Sequence, residues 1–429
     1  MNLTQRLYAQ GVGIVSAALH RNHGSFIATS AAVQLLPLIS APIVSRLYSP
    51  AAFGNYAVFY SLVAIIGSVA SWDLHNAILL EEEDSAAAHA ALLTFVATFV
   101  TGAALAIALL AMPEYWLQWA IGNEALSILP WLPVTVMAAS GFMSLYTWAI
   151  RKGHYKKLAR IKMILGVSTM LIQISIGLMR LEAIGFVLAN LLGYLLAISL
   201  LYRLFHSDIR VAKPKMNLES IKAQLKKHKE LPMFAVPASL VNTLSSQIPE
   251  FMINKLFGSH QLGQYSLANR MVNMPLAFLA TSVQDIFRQK ATTEFNLSGS
   301  TRNTYRSFLA LMVLVSLVLL VPIVLIVPEL FPLIFGKEWA QSGHLIRAMV
   351  FLIAVRFVSS PLSYVWIIKG EQKMNLLWQI GLLLISTSAF LFSHLLFNHE
   401  SLMETLLLYS GLAGSWYLFC IYLSYRYSR

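Results

Sequence analysis

Apolar segments of about 20 residues return twelve times along this chain, at 24–45, 52–74, 86–112, 125–150, 158–179, 183–205, 232–254, 261–287, 307–328, 340–367, 374–396 and 402–424. At a rise of 1.5 Å per residue, a helix of ~20 residues crosses the ~30 Å hydrocarbon layer of a bilayer. Only helices and closed barrels satisfy their backbone inside lipid, and segments this long read as helices. The pattern predicts an all-α polytopic membrane protein with about twelve transmembrane helices. Composition agrees: 57% of residues are hydrophobic and 12% are charged, about half the ~25% charge of a soluble domain. The same figures exclude a disordered chain. The single cysteine, Cys420, excludes an internal disulfide and any cysteine-built metal site.

The formal net charge of +12 does not point to nucleic acid, because it is unevenly divided between loops. Twenty-four of the 31 Lys and Arg fall in the segments on the N-terminal side, among them six between Arg151 and Lys162 and eight between Arg203 and Lys229. Four fall on the other side, Arg46, Arg180, Lys255 and Lys337, and three lie within spans. The positive-inside rule then places both termini of this multi-pass protein in the cytoplasm. Residues 1–23 lack a cleavable signal pattern, so the first span is expected to be retained. The loops on the other side are short and leave no room for an external catalytic domain.

The two halves resemble each other. Arg46-Leu-Tyr-Ser-Pro-Ala-Ala-Phe-Gly-Asn-Tyr56 aligns without a gap on Lys255-Leu-Phe-Gly-Ser-His-Gln-Leu-Gly-Gln-Tyr265, at an offset of 209. Arg151-Lys-Gly-His-Tyr-Lys156 aligns on Ile368-Lys-Gly-Glu-Gln-Lys373, at 217. The matches follow spans 1 and 7, then spans 4 and 10, which predicts a parallel 6+6 repeat. The expected organisation is an N-terminal six-helix lobe over 1–205, a linker over 206–231 and a C-terminal six-helix lobe over 232–429, around a central cavity. Transporters built from parallel repeats carry substrate between their halves. In the linker, Leu218, Ile221 and Leu225 share a helical face and Lys222, Lys226, Lys227 and Lys229 occupy the others. That reads either as a basic amphipathic helix on the inner leaflet or as a solvated connection.

Ionisable groups inside a membrane need a partner or a wet cavity. Arg270 and Arg356 sit near the middles of spans 8 and 10. Arg347, nine residues before Arg356, reads as lying two turns outward on nearly the same face. Arg46 and Lys255 add charge at the outer rim. Together they are the candidate cationic lining for an anionic, phosphate-bearing substrate, since guanidinium forks match phosphate oxygens. Structural pairing, such as Arg270 with Glu250, is the other reading. Gln34 in span 1, and Asn242, Ser246 and Glu250 at i, i+4 and i+8 in span 7, are candidate lumen residues or interhelical hydrogen-bond partners. Asp73, Asp285 and Glu250 are candidate coupling groups; for the first two, capping at span ends is the competing role. No P-loop, His-Glu-x-x-His or Gly-x-Ser-x-Gly is present, so no cofactor, metal or catalytic residue is expected.

Several stretches carry a family resemblance. His228-Lys-Glu-Leu-Pro-Met-Phe234, Pro237-Ala-Ser-Leu-Val-Asn242, Leu262-Gly-Gln-Tyr-Ser-Leu-Ala-Asn-Arg270, Asn273-Met-Pro-Leu-Ala277 and Val283-Gln-Asp-Ile-Phe-Arg288 resemble the second half of Wzx-type oligosaccharide flippases. Arg46-Leu-Tyr-Ser-Pro50 with Phe53-Gly54, and Phe357-Val-Ser-Ser-Pro-Leu-Ser363, fit the same family. The resemblance runs from about Gly24 to Lys373. It implies the multidrug/oligosaccharidyl-lipid/polysaccharide exporter superfamily, with two lobes opening alternately to each side. It further implies a substrate of undecaprenyl-pyrophosphate-linked oligosaccharide, flipped for O-antigen, capsule or exopolysaccharide synthesis. A polysaccharide polymerase and a chain-length regulator are the expected protein partners. Arg356 does not correspond to an expected fixed family arginine. The competing readings are another exporter of the superfamily, or a membrane enzyme of polysaccharide assembly such as a polymerase or ligase.

Overall fold

The computed structural model describes residues 32–211, 218–396 and 401–429. Residues 24–31 of the first expected span, the N-terminal segment before them, and Lys213 and Lys215 of the linker lie outside the described residues. The chain forms helices α1 (Ala32–Leu47), α2 (Pro50–Ala70), α3 (Asp84–Ala111), α4 (Leu132–Arg151), α5 (Tyr155–Leu178) and α6 (Glu182–Val211). These make one lobe. The second comprises α7 (236–257), α8 (259–298), α9 (Arg302–Phe335), α10 (Ala340–Leu362), α11 (Gln372–Leu396) and α12 (Leu402–Tyr427). Among the described residues nine helices are long and apolar enough to cross a membrane, and α1 is a shorter apolar helix. The α7 and α8 helices supply the remaining two passes, on either side of a kink at Gly258, whose φ of +82° an L side chain rarely adopts.

Local chemistry sets the breaks. At the start of α2, Ser49 accepts from the Ala52 N–H at 3.2 Å and Pro50 fills the first helical position. Positive φ at Gly122 and Gly336 ends two further helices, Glu114–Ile121 and α9. Both glycines lie at the lightly charged end of the bundle, opposite the loops that carry most of the lysines and arginines.

At that end the two copies of the repeat meet each other. A Cβ on Gly54 would lie 1.8 Å from the Ser259 carbonyl oxygen, and one on Gly263 would lie 1.8 Å from the Pro50 carbonyl oxygen. Gly263 and Ser259 stand 209 residues after Gly54 and Pro50, the offset of the repeat, so α2 and α8 cross about a pseudo-two-fold axis. Hydrogen bonds obey the same symmetry. Ser45 Oγ donates to the Phe335 carbonyl at 2.9 Å, and Asn254 Nδ2 donates to the Ile121 carbonyl at 2.8 Å. Arg46 donates to the Leu333 carbonyl at 3.2 Å, and Lys255 donates to the Trp119 carbonyl. Each lobe's first hairpin thus caps a helix end of the other lobe. Trp339 Nε1 donates to the Ser45 carbonyl at 2.9 Å, and its ring packs on Phe53 at 4.8 Å. This apolar and hydrogen-bonded seal joins the lobes at the lightly charged end.

At the basic end the linker is held to the first lobe. The buried Glu81 carboxylate, 3% exposed, accepts from Lys227 Nζ and His228 Nε2, each at 2.6 Å, and from Gln224 Nε2 at 3.1 Å. Leu225 packs against Leu74, Leu93 and Ala97. The helix Leu218–Lys227 therefore docks on the α2–α3 turn through these residues, a contact that neither reading of the linker from sequence included. Burial alone raises the Glu81 carboxyl pKa, but the hydrogen bonds and charges of Lys227 and His228 outweigh it and leave the pKa below the ordinary carboxylate value.

Candidate functional site

Helix α8 stands between two cavities and shows a different face to each. Tyr265, Asn269 and Asn273, at i, i+4 and i+8, line a cavity inside the second lobe; Leu267, Arg270, Met271 and Met274 line a cavity on the first lobe. The two stripes lie on opposite sides of the helix because residues two apart are turned by about 200°.

The first-lobe cavity measures about 500 Å³ and is walled by α1, α2, α5 and α6 together with α8. Most of its wall is aliphatic, methionine or aromatic, with Gln173, Asn190 and three tyrosines, Tyr56, Tyr60 and Tyr194, as the larger polar elements. Asn190 Nδ2 donates to Tyr56 Oη at 2.8 Å. Arg270 is the one charged residue among its described lining. It is half-buried, acts electrostatically on Tyr56, and makes no hydrogen bond or ion pair among the described residues.

The second-lobe cavity measures about 90 Å³. Its wall is polar: Asn242, Ser245 and Ser246 from α7, Asn269 and Asn273 from α8, and Gln379 from α11. Arg356 enters from α10 as the one charged residue among its described lining, faced by Tyr265, Tyr409 and Tyr417. Arg356 sits mid-helix, deep in the lobe, yet its side chain is exposed, because it faces the cavity and not packed protein. Its guanidinium also has no hydrogen bond or ion pair among the described residues. Glu250 is the acid that acts on Arg356, and its buried Oε2 carries no hydrogen bond. The electrostatic neighbour of Glu250 is thus Arg356; no ion pair joins Glu250 to Arg270 among the described residues.

The other residues marked from sequence lie elsewhere. Arg347 does not share a face with Arg356: nine residues at 100° each make two and a half turns, so the two point to opposite sides of α10. Arg347 instead donates to the Val324 carbonyl at 3.3 Å and lies 4.0 Å from Glu329 on α9. Arg46 and Lys255 belong to the seal, where their charges cap carbonyls. Gln34 is exposed on α1, beside but not in the cavity wall. Asp73 lies in the turn after α2 at a positive φ of 58°, accepting from Asn76 at 2.9 Å. Asp285 is exposed toward the basic end of α8. The tyrosines, Asn269, Asn273 and Asn190 were missed from sequence. The stripe Tyr265, Asn269, Asn273 carries the same i, i+4, i+8 signal that marked span 7.

Two six-helix lobes, joined at one end by a duplicated contact, with one cavity between the first lobe and α8 and another inside the second lobe, define a two-lobe α-helical membrane protein. The same fold is seen in the lipid II flippase MurJ in an inward closed conformation, at a TM-score of 0.69, with 12% identity over 94% of this chain and 87% of that one. It is also seen in an inward-facing multidrug resistance MATE family transporter of the MOP superfamily (TM-score 0.62, 15% identity, 92% of this chain and 94% of that one). A MOP superfamily transporter from Pyrococcus furiosus, described as having a binding pocket of reverse polarity, matches at a TM-score of 0.62, with 15% identity over 94% of this chain and 93% of that one. At these identities the likeness is one of fold. A search of curated proteins finds no match. The family model described as "Polysaccharide biosynthesis protein" matches residues 43–344, and the chain belongs to that family.

Proposed function

We propose that the protein flips undecaprenyl-pyrophosphate-linked oligosaccharide repeat units from the inner to the outer leaflet of the bacterial cytoplasmic membrane by alternating access, for O-antigen, capsule or exopolysaccharide synthesis. The observation that carries this reading is the pair of guanidiniums, Arg270 and Arg356, each facing a cavity and neither bound by a carboxylate. A guanidinium that no carboxylate neutralises favours a doubly charged phosphate ester. The amides and phenols of the second-lobe cavity are donors and acceptors suited to sugar hydroxyls. The lipid tail stays in the bilayer. With the basic end in the cytoplasm, the seal closes the periplasmic side, and flipping requires its symmetric contacts to part. The polymerase and chain-length regulator would act on the product after release.

The test is the sidedness of lipid-linked oligosaccharide in cells depleted of the protein. Accumulation on the inner leaflet, reversed by wild type and not by Arg356→Ala, supports translocation. Accumulation on the outer leaflet would assign the protein to polymerisation or ligation.

A further inference from the structure

At the basic end of the second lobe, two arginines on successive turns of α9 converge on one neutral acceptor. Arg302 Nη2 donates to the Tyr425 hydroxyl oxygen at 3.1 Å; Arg306 donates to it through Nε at 3.1 Å and through Nη2 at 2.7 Å. Both guanidinium carbons lie near the same ring, 5.5 and 5.6 Å from its centroid. Neither arginine forms an ion pair with a carboxylate among the described residues, and Arg302 Nε is buried without a hydrogen-bond partner. The acid that meets the start of α9 is already engaged: the Glu294 carboxylate accepts from the N–H groups of Asn303 and Thr304 at 3.1 and 2.8 Å, capping α9. The corresponding corner of the first lobe is built differently, since Arg151 and Lys152 there both pair with Asp84.

The position is held firmly. The Ser428 carbonyl accepts from Thr301 N at 2.8 Å and Ser300 Oγ at 2.9 Å, and Lys369 Nζ donates to the Gly299 and Arg429 carbonyls at 3.0 and 2.7 Å. Two like charges fixed side by side are stabilised by an anion that accepts from both. Arg306 also heads a stripe along α9, Ala310, Val313 and Leu317 at i+4, i+7 and i+11, with Val313 42% and Leu317 58% exposed. A charged head above an outward apolar stripe matches a lipid whose headgroup sits at the helix end and whose acyl chain runs along it.

We propose that Arg302, Arg306 and Tyr425 form a cradle for the phosphate of an anionic membrane phospholipid at the basic end of the second lobe. The two guanidiniums fork onto the phosphate oxygens, and the Tyr425 hydroxyl turns its proton toward the same group. The site lies outside both cavities, so it stands or falls independently of the transported substrate.

The full chain, purified in detergent, is incubated with phosphatidylglycerol or with phosphatidylcholine, and retained lipid is counted by native mass spectrometry. Wild type is expected to hold phosphatidylglycerol about tenfold more tightly than phosphatidylcholine, and Arg306→Gln to lose most of that preference. Arg306 is exposed, so its substitution leaves the fold in place. Tyr425→Phe keeps both cations and should keep the preference. Inorganic phosphate, lacking acyl chains, should displace the lipid poorly. Equal retention of phosphatidylglycerol by wild type and Arg306→Gln overturns the site. Loss of preference in Tyr425→Phe as large as in Arg306→Gln overturns recognition by charge. Displacement by inorganic phosphate as effective as by phosphatidylglycerol overturns the lipid assignment.

Discussion

The two lobes share one helical frame but not one interior. The first, together with α8 of the second, encloses about 500 Å³ behind a mostly apolar and aromatic wall; the second encloses about 90 Å³ behind amides, hydroxyls and phenols. Among the described residues each cavity has a single arginine, yet both arginines come from the C-terminal half of the sequence. Arg270 reaches the first-lobe cavity from α8, and its repeat equivalent on α2, at the offset of 209, is the buried Ser61. Duplication preserved what the seal needs, close-packed glycines and paired carbonyl caps, because two backbones in contact tolerate little change. The cavity walls are made mostly of side chains facing open space, where a change of residue meets less resistance. The lesson is that in this chain symmetry resides in the contact between the lobes and asymmetry in their cavities.

That contrast can be broken most severely at the gate. Gly54→Val and Gly263→Val each place a side chain against a main-chain carbonyl that cannot retreat, and each should destabilise the sealed state by about 3 kcal/mol or more. Labelling of cysteines introduced beside the seal would report this as accessibility from the lightly charged side. Symmetry predicts similar effects at both positions; a harmless Gly263→Val beside a damaging Gly54→Val would refute the duplicated contact.

The next largest effect tests the asymmetric interior. A hydrogen bond to a charged group contributes about 1.5–3 kcal/mol, so Arg356→Ala and Arg270→Ala should each reduce flipping on the order of 10- to 100-fold while leaving expression intact. Arg→Lys should restore only part of it, since the ammonium lacks the planar fork. Wild-type rates in both alanine variants would remove the charged cavities from the mechanism.

A smaller effect is expected where the linker meets the first lobe. Glu81→Ala leaves Lys227 and His228 without their acceptor and should cost about 1–3 kcal/mol, seen as faster proteolysis near residues 218–230. The depressed pKa of Glu81 fixes the pH sense. A carboxyl whose folded pKa lies below its unfolded value contributes stability above the unfolded pKa, about 4.3, and loses it as pH falls through the folded one. The linker should therefore loosen only in acid, and Glu81→Gln should flatten that dependence; an unchanged acid profile counts against the clamp.

The smallest effect separates Arg347 from the cavity arginines. It is exposed and 4.0 Å from an exposed Glu329, an arrangement contributing about 0–1 kcal/mol. Arg347→Ala should leave flipping unchanged, and a loss comparable to that of Arg356→Ala would return it to the substrate path.

Much of the frame was legible from residue order. Hydropathy located the crossings, since α2 to α12 overlap the apolar segments, with the largest difference at the end of α8, which runs to residue 298 where the apolar segment ends at 287. The Arg46–Tyr56 and Lys255–Tyr265 match exposed the repeat. The opposed facing of Arg347 and Arg356 was also legible, because a count of nine residues settles it. Glu81 escaped notice because it opens a run of four acids, Glu81 to Asp84, in which nothing local marks the one that is buried; its partners Gln224, Lys227 and His228 lie 143 to 147 residues later. The tyrosines around Arg356 escaped because they arrive on two other helices, Tyr265 on α8 and Tyr409 and Tyr417 on α12.

By itself, then, the sequence determined the number and length of the crossings, the segregation of basic loops to one end and the duplication. All of these follow from local apolarity, charge and identity. Only the tertiary structure decided that the two repeat copies touch one another, that Arg46 and Lys255 cap carbonyls while Arg270 and Arg356 face cavities, and that Arg302 and Arg306 share one phenol. Whether a charge is spent on a carbonyl or left facing a cavity depends on which distant backbone comes within about 3 Å of it, and residue order alone does not contain that distance.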